Sequence, residues 1–297
     1  MATPRPIDYA LLTGIGLSWG SQFVFNRLAI DSMPPLMVAT GRVVIGCGAL
    51  TVFLWIFPKY CRTASGQAAK QPWAMYAIIG ITEAILPCFL VPWGQQHVNA
   101  SVAAILMATI PIFTLLLAPI FAKGESFSFV TALGVILGFC GVLVLFVPHP
   151  ETRVSGNRVG ELAILAAALS FATSLILMKR LPSVPPILAI RNIFLTAALP
   201  LVIATVFWHQ PWRLSITTKS VFALVALGII CGAVAYVMYI SLLIRTGPTF
   251  TSLCNYLVTL VGVLIGVTFL GNAVRIHDIG AMALILSALS IHQLRRG

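Results

Sequence analysis

The hydrophobic spans of this 297-residue chain fall into two halves that read as copies of one another. Each half holds five spans, and five is odd. A second copy that begins after an odd number of crossings sits upside down in the bilayer. Inverted copies around a midplane cavity are the architecture of secondary transporters. The expected fold is an all-α polytopic membrane protein of ten transmembrane helices. Residues 1–150 form the first five-helix repeat and 151–297 the second, inverted one.

Composition supports a chain built almost wholly of spans. It is 59% hydrophobic and 8% charged, with a mean hydropathy of +1.02. A soluble domain is roughly 45–50% apolar and about 25% charged. The net charge of +11 does not point to nucleic acid, because the Lys and Arg residues sit between spans and no basic stripe carries interleaved aromatics. The six cysteines form no CxxC pair, and five lie in apolar runs, so they read as small buried hydrophobes. The N-terminus has a lone Arg5 and no small-residue cleavage site, so the first apolar run is expected to stay as a span.

A spanning helix needs about 20 largely apolar residues. Ten such stretches are predicted: 8–29, 35–57, 72–92, 99–121, 127–147, 159–179, 185–207, 219–243, 249–270 and 274–293. With both termini cytoplasmic, the inner segments hold ten Lys and Arg against six outside, which favours that orientation.

The repeat is legible in residues. Ser18-Trp19-Gly20 in span 1 has its counterpart in Ser170-Phe171-Ala172 of span 6. Pro34-Pro35 precedes span 2, and Pro185-Pro186 precedes span 7, 151 residues later. Arg42 follows the first pair and Arg191 the second. Gly80 and Gly228 open similar stretches 148 residues apart.

These features resemble the drug/metabolite transporter superfamily, in particular its EamA-type exporters with two five-helix repeats. The residues that carry the resemblance are Trp19-Gly20, the Pro-Pro and Arg42 entry to span 2, the Gly124-Glu125 turn, and Gly134, Gly138 and Gly141 in span 5. Within the family the chain looks most like the YddG-type exporters of aromatic amino acids. The resemblance implies export of a small organic metabolite across a bacterial inner membrane. The chain departs from the family where Gly271-Asn272-Ala273 replaces a second Gly-Glu turn.

Several residues are candidates for the work. Glu83 is the carboxylate deep inside a span, and a charge there costs roughly 2.5–3.5 kcal/mol, so it should not face lipid. It reads either as a proton-coupling acid or substrate-amine partner, or as a protonated carboxyl bonded to a neighbouring helix. Arg42 and Arg191 lie about six residues, roughly 9 Å, inside spans 2 and 7. Each reads as a snorkelling or helix-packing arginine, or as a gating and substrate-carboxylate contact. Polar and aromatic residues share helix faces: Trp19, Gln22 and Asn26 in span 1; Ser170, Thr173 and Ser174 in span 6; Tyr236 and Tyr239 in span 8; Asn255, Tyr256 and Thr259 in span 9. Any one stripe suits helix packing. Four in corresponding spans suit a shared substrate cavity with aromatic walls.

Pro87, Pro92 and Pro111 are hinge candidates, with a static kink as the alternative. Gly134/Gly138 and Gly262/Gly266 suit close helix contact within the bundle. No ATP-binding loop, metal-spaced cluster or catalytic motif occurs. The expectations are therefore no enzyme, no cofactor, no metal and no nucleic acid. The partners are a small-molecule substrate and the lipid bilayer, with a monomer sufficient. A broad drug or quaternary-cation efflux pump is the alternative function. The half-size multidrug transporters it would resemble use a Glu in span 1, and span 1 here has none.

Overall fold

The computed structural model describes residues 5–61, 72–98, 100–121, 129–146, 158–181 and 184–270, together with 280, 283–284 and 287. Gly124-Glu125, Gly271-Asn272-Ala273 and almost all of the expected tenth span lie outside them.

Every regular element among the described residues is helical. The first half contains α1 (Pro6–Gly20), α2 (Gln22–Ile30), α3 (Pro35–Ile56), α4 (Trp73–Ile79), α5 (Leu86–Gly94), α6 (Ala100–Met107), α7 (Ile110–Phe121) and α8 (Phe129–Phe146). The second contains α9 (Arg158–Lys179), α10 (Pro186–His209), α11 (Thr218–Ala226), α12 (Ala235–Thr246), α13 (Pro248–Ser252) and α14 (Cys254–Leu270). Five runs are long and apolar enough to cross a membrane: Pro35–Ile56, Trp73–Gly94, Arg158–Lys179, Pro186–His209 and Thr218–Thr246. This is a multi-pass membrane protein. Exposed apolar side chains such as Trp55, Leu199, Phe207 and Trp208 suit lipid as solvent.

The expected spans 1, 4 and 9 are each interrupted, at Ser21, at Ala108–Thr109 and at Leu253. Pro111 follows the second break and has no N–H for the preceding turn. Both Pro-Pro pairs do what their chemistry dictates: Pro34 and Pro185 are extended, and Pro35 and Pro186 open α3 and α10 at the position where a missing N–H costs nothing. Gly247, at φ 88°, turns the chain from α12 into α13, a conformation that favours glycine.

The two halves interleave. Helix α1 packs on α14 and α12, α3 on α10, and α5 on α9. One hydrophobic core therefore runs through both, from Leu12 and Ile15 through Val43 and Phe194 to Leu243.

Two of the five runs widen into π-helix, Gly80–Ile85 between α4 and α5 and Leu227–Val234 between α11 and α12. In the first, Pro87 lacks an N–H and its ring collides with the carbonyl four residues back in an α-turn, so the turn before it opens. In the second, close packing needs glycine. A Cβ on Gly228 would stand 2.5 Å from Ile45 Cβ, and one on Gly46 3.1 Å from the Gly228 carbonyl. Helix α3 thereby lies against the π-turn with almost no side chain between them.

Candidate functional site

Each π-turn shifts a backbone hydrogen bond and leaves a carbonyl for other use. The Leu86 N–H bonds to Ile81 O instead of Thr82 O, and the Ala235 N–H to Ile230 O instead of Cys231 O. Thr82 O accepts Ser170 Oγ of α9 at 2.8 Å. Cys231 O accepts Trp19 Nε1 of α1 at 2.9 Å and Arg42 Nη2 of α3 at 3.4 Å. The first helix of each half thus bonds the π-turn of the other. π-turns concentrate at functional sites, and here they hold the polar centre of the bundle.

That centre is a closed pocket lined by Trp19, Gln22, Arg42, Met107, Ile110, Phe171, Tyr239 and Asn255. Its free volume is about 10 Å³, the space of roughly one water. One wall is aromatic. The Trp19 ring lies 4.8 Å from Tyr239 and 5.1 Å edge-on from Tyr236, and Phe194 backs Tyr236 at 5.2 Å. Beside it, sharing the Cys231 carbonyl with Trp19, stands Arg42, only 5% exposed, with Nη1 donating to Gln22 Oε1 at 2.9 Å and Nε unpartnered. A side chain this buried does not snorkel; it suits helix packing or a pocket contact. The ion pair among the described residues is Asp8–Arg245, at the α1 and α12 termini, so the Arg42 guanidinium faces the pocket without a carboxylate in contact.

Glu83 sits in the first π-turn, fully buried. Its Oε2 is hydrogen-bonded to Ser174 Oγ of α9, and its Oε1 has no partner. Arg42 and the Tyr236 hydroxyl face the same carboxyl. The structure therefore brings together Trp19, Gln22, Arg42, Tyr239 and Asn255, and sets Glu83, Ser174 and Tyr236 beside them.

Other candidates lie elsewhere. Asn26 is buried on α2 with neither amide atom partnered, outside the pocket lining. Tyr256 turns from the pocket: its hydroxyl donates to Val135 O at 2.6 Å and its ring fills the space over Gly138, so it joins α14 to α8. Arg191 is half-buried, with Nε unpartnered and its carbonyl near Cys47 Sγ, apart from the Arg42 group. Pro87 follows the π-turn, Pro92 lies inside α5, and Pro111 follows the α6–α7 break. Among the described residues no His, Cys, Asp and Glu group could hold a metal ion, and Cys47, Cys88, Cys140, Cys231 and Cys254 are free thiols.

Sequence reasoning missed Met107, Ile110 and the Cys231 carbonyl. The first two lie in a uniformly apolar stretch. The third is backbone, although the recurrence of Gly80 and Gly228 marked the two turns that matter.

A multi-pass helical membrane protein with a closed polar pocket between two interleaved halves is the class these features define. Comparison with known proteins gives the family: the EamA-like transporter family model matches residues 7–147 and again 158–292, and the chain belongs to it. It is 24% identical over 283 residues to YedA of Escherichia coli, an uncharacterized inner membrane transporter, covering 95% of this chain and 89% of that one. It is 22% identical over 265 residues to the protein PagO of Salmonella typhimurium, covering 89% and 85%. A crystal structure superposes with a TM-score of 0.79 at 17% identity, covering 98% of this chain and 97% of that one, which shows the fold. The protein is thus a membrane transporter.

Proposed function

We propose that the chain is a secondary transporter that exports small carboxylate-bearing metabolites, amino acids foremost and aromatic ones favoured, by alternating access. The reading takes the fold as ten spans in two inverted five-helix repeats in a bacterial inner membrane, with both termini cytoplasmic. The double family match and the crossed π-turn bonds support the repeat.

The observation that carries the substrate class is Arg42. A buried guanidinium with a free Nε and no carboxylate in contact is an anion receptor. The Trp19, Tyr236 and Tyr239 rings offer a planar side chain its stacking surface. The same cation disfavours the alternative, a lipophilic-cation pump.

Glu83 suits proton coupling or a substrate ammonium. Ser174 Oγ also donates to Phe171 O at 2.8 Å, and a hydroxyl has a single proton. The Glu83–Ser174 contact is therefore complete when the carboxyl carries a proton and donates it.

The test is uptake of labelled tryptophan, phenylalanine and threonine into proteoliposomes, with and without a pH gradient. Saturable uptake that aromatic amino acids compete away is expected. Protein with a sharp thermal transition that moves no amino acid, and whose transition shifts with lipophilic cations, would overturn the reading in favour of the drug pump.

A further inference from the structure

At one end of the bundle, where α2, α5 and α10 finish, a vestibule of about 670 Å³ opens between Asp31, Ser32, Gln96 and His209. Beside it an apolar slot of about 510 Å³ runs between α5 and α10, walled by Leu86, Pro200 and Ala204. Leu36, Phe89 and His209 line both, so the two form one cavity with a polar mouth and an apolar throat.

The cavity's depth relates it to the bilayer. Trp93 lines its mouth and the largely exposed Trp208, next to His209, lines the adjoining end of the slot, the position of an interfacial aromatic belt. From His209 to Pro200 the slot follows nine residues of α10, about 13 Å of helix. The hydrocarbon core of a bilayer is about 30 Å thick, so the slot spans about one leaflet. A cavity of that length, polar at headgroup level and apolar below, fits one membrane lipid.

Its charge narrows the headgroup. Asp31 is the carboxylate of the mouth, and no Lys or Arg among the described residues lines either space. An anionic headgroup would meet Asp31 with no Lys or Arg of the described lining to offset it. A headgroup carrying an ammonium would meet Asp31 favourably, while Ser32, Gln96 and His209 offer groups for its phosphate.

We infer that this cavity is a binding site for one zwitterionic, ammonium-bearing phospholipid of the phosphatidylethanolamine type, its headgroup at Asp31 and one acyl chain between α5 and α10. The lipid's position matters because the slot borders the α3–α10 contact. There Thr40 Oγ1 meets Thr205 Oγ1 at 2.5 Å and lies 3.2 Å from Leu201 O. A chain seated beside that contact stabilises α10 against the first half.

The experiment titrates delipidated, full-length protein with phosphatidylethanolamine or phosphatidylglycerol and reads bound lipid by native mass spectrometry, with thermal unfolding in parallel. One phosphatidylethanolamine is expected to bind with a preference of about 2- to 5-fold, the ratio an exposed ion pair is worth. Asp31→Asn should abolish the preference while still binding lipid. Ala204→Trp, which fills the slot, should abolish binding at this stoichiometry while the lipid-free unfolding transition is unchanged. Glycerophosphoethanolamine, a headgroup without chains, should not compete. Equal binding of the two lipids by the native protein, an unaltered preference in Asp31→Asn, or undiminished binding by a folded Ala204→Trp protein would each overturn the proposal.

Discussion

Replacing Arg42 with Met separates affinity from stability. Methionine is unbranched and of similar reach, so it can occupy much of the same volume without the charge. In the native protein the guanidinium holds Gln22 Oε1 at 2.9 Å and touches Cys231 O at 3.4 Å. The substitution leaves Gln22 Oε1 without its donor, a loss of about 1–3 kcal/mol. It also removes a buried cation, whose desolvation costs the folded protein several kcal/mol. The two terms offset, and Cys231 O keeps its bond from Trp19. The melting temperature should therefore change by no more than a few degrees. Substrate affinity should not survive in the same way. A hydrogen bond to a charged group contributes about 1.5–3 kcal/mol, and 1.4 kcal/mol is tenfold, so KM for tryptophan should rise roughly 10- to 150-fold. Proteoliposome uptake with a thermal transition on the same preparation measures both quantities. A KM within twofold of the native value would refute the anion-receptor reasoning. A large loss of stability with KM unchanged would make Arg42 a helix-packing residue.

Two further outcomes are expected. Glu83→Gln keeps an acceptor and a donor for Ser174 but cannot release a proton, so a pH gradient should no longer drive uptake while substrate exchange persists; gradient-driven counterflow that matches the native protein would remove Glu83 from coupling. Gly228→Ala places a Cβ 2.5 Å from the β-branched Ile45 and should destabilise by about 1–3 kcal/mol, whereas Gly48→Ala, with nothing within 4 Å, should unfold as the native protein does; thermal unfolding of the pair checks this.

The helices were legible because burial in lipid writes itself as long apolar runs and because Pro-Pro pairs start helices in one way. The spans ran as expected at Pro35–Ile56, Arg158–Lys179 and Pro186–His209. The interruptions at Ser21 and Leu253 were not legible, since neither residue has a helix-breaking chemistry. The pocket was partly legible. Trp19 and Gln22 share a face by spacing alone, and Tyr236 and Tyr239 do so within α12. The direction of a face is another matter. Asn255 and Tyr256 are neighbours in sequence, yet Asn255 lines the pocket and Tyr256 bonds α8, because adjacent helical positions diverge by about 100°. The backbone shift that releases Thr82 O is marked by Pro87, whereas the one that releases Cys231 O is marked only by Gly228.

The crossed bonds at the π-turns bear on what counts as a folding unit. Thr82 O in the first half finds its donor on Ser170, and Cys231 O in the second finds its donors on Trp19 and Arg42. A cut near residue 150 would separate both carbonyls from those donors, in a medium with no water to replace them. The sequence divides there, but the protein does not. Each half is the other's template, so fragments made separately should reconstitute only when both are present in one membrane, like the strands of a splint.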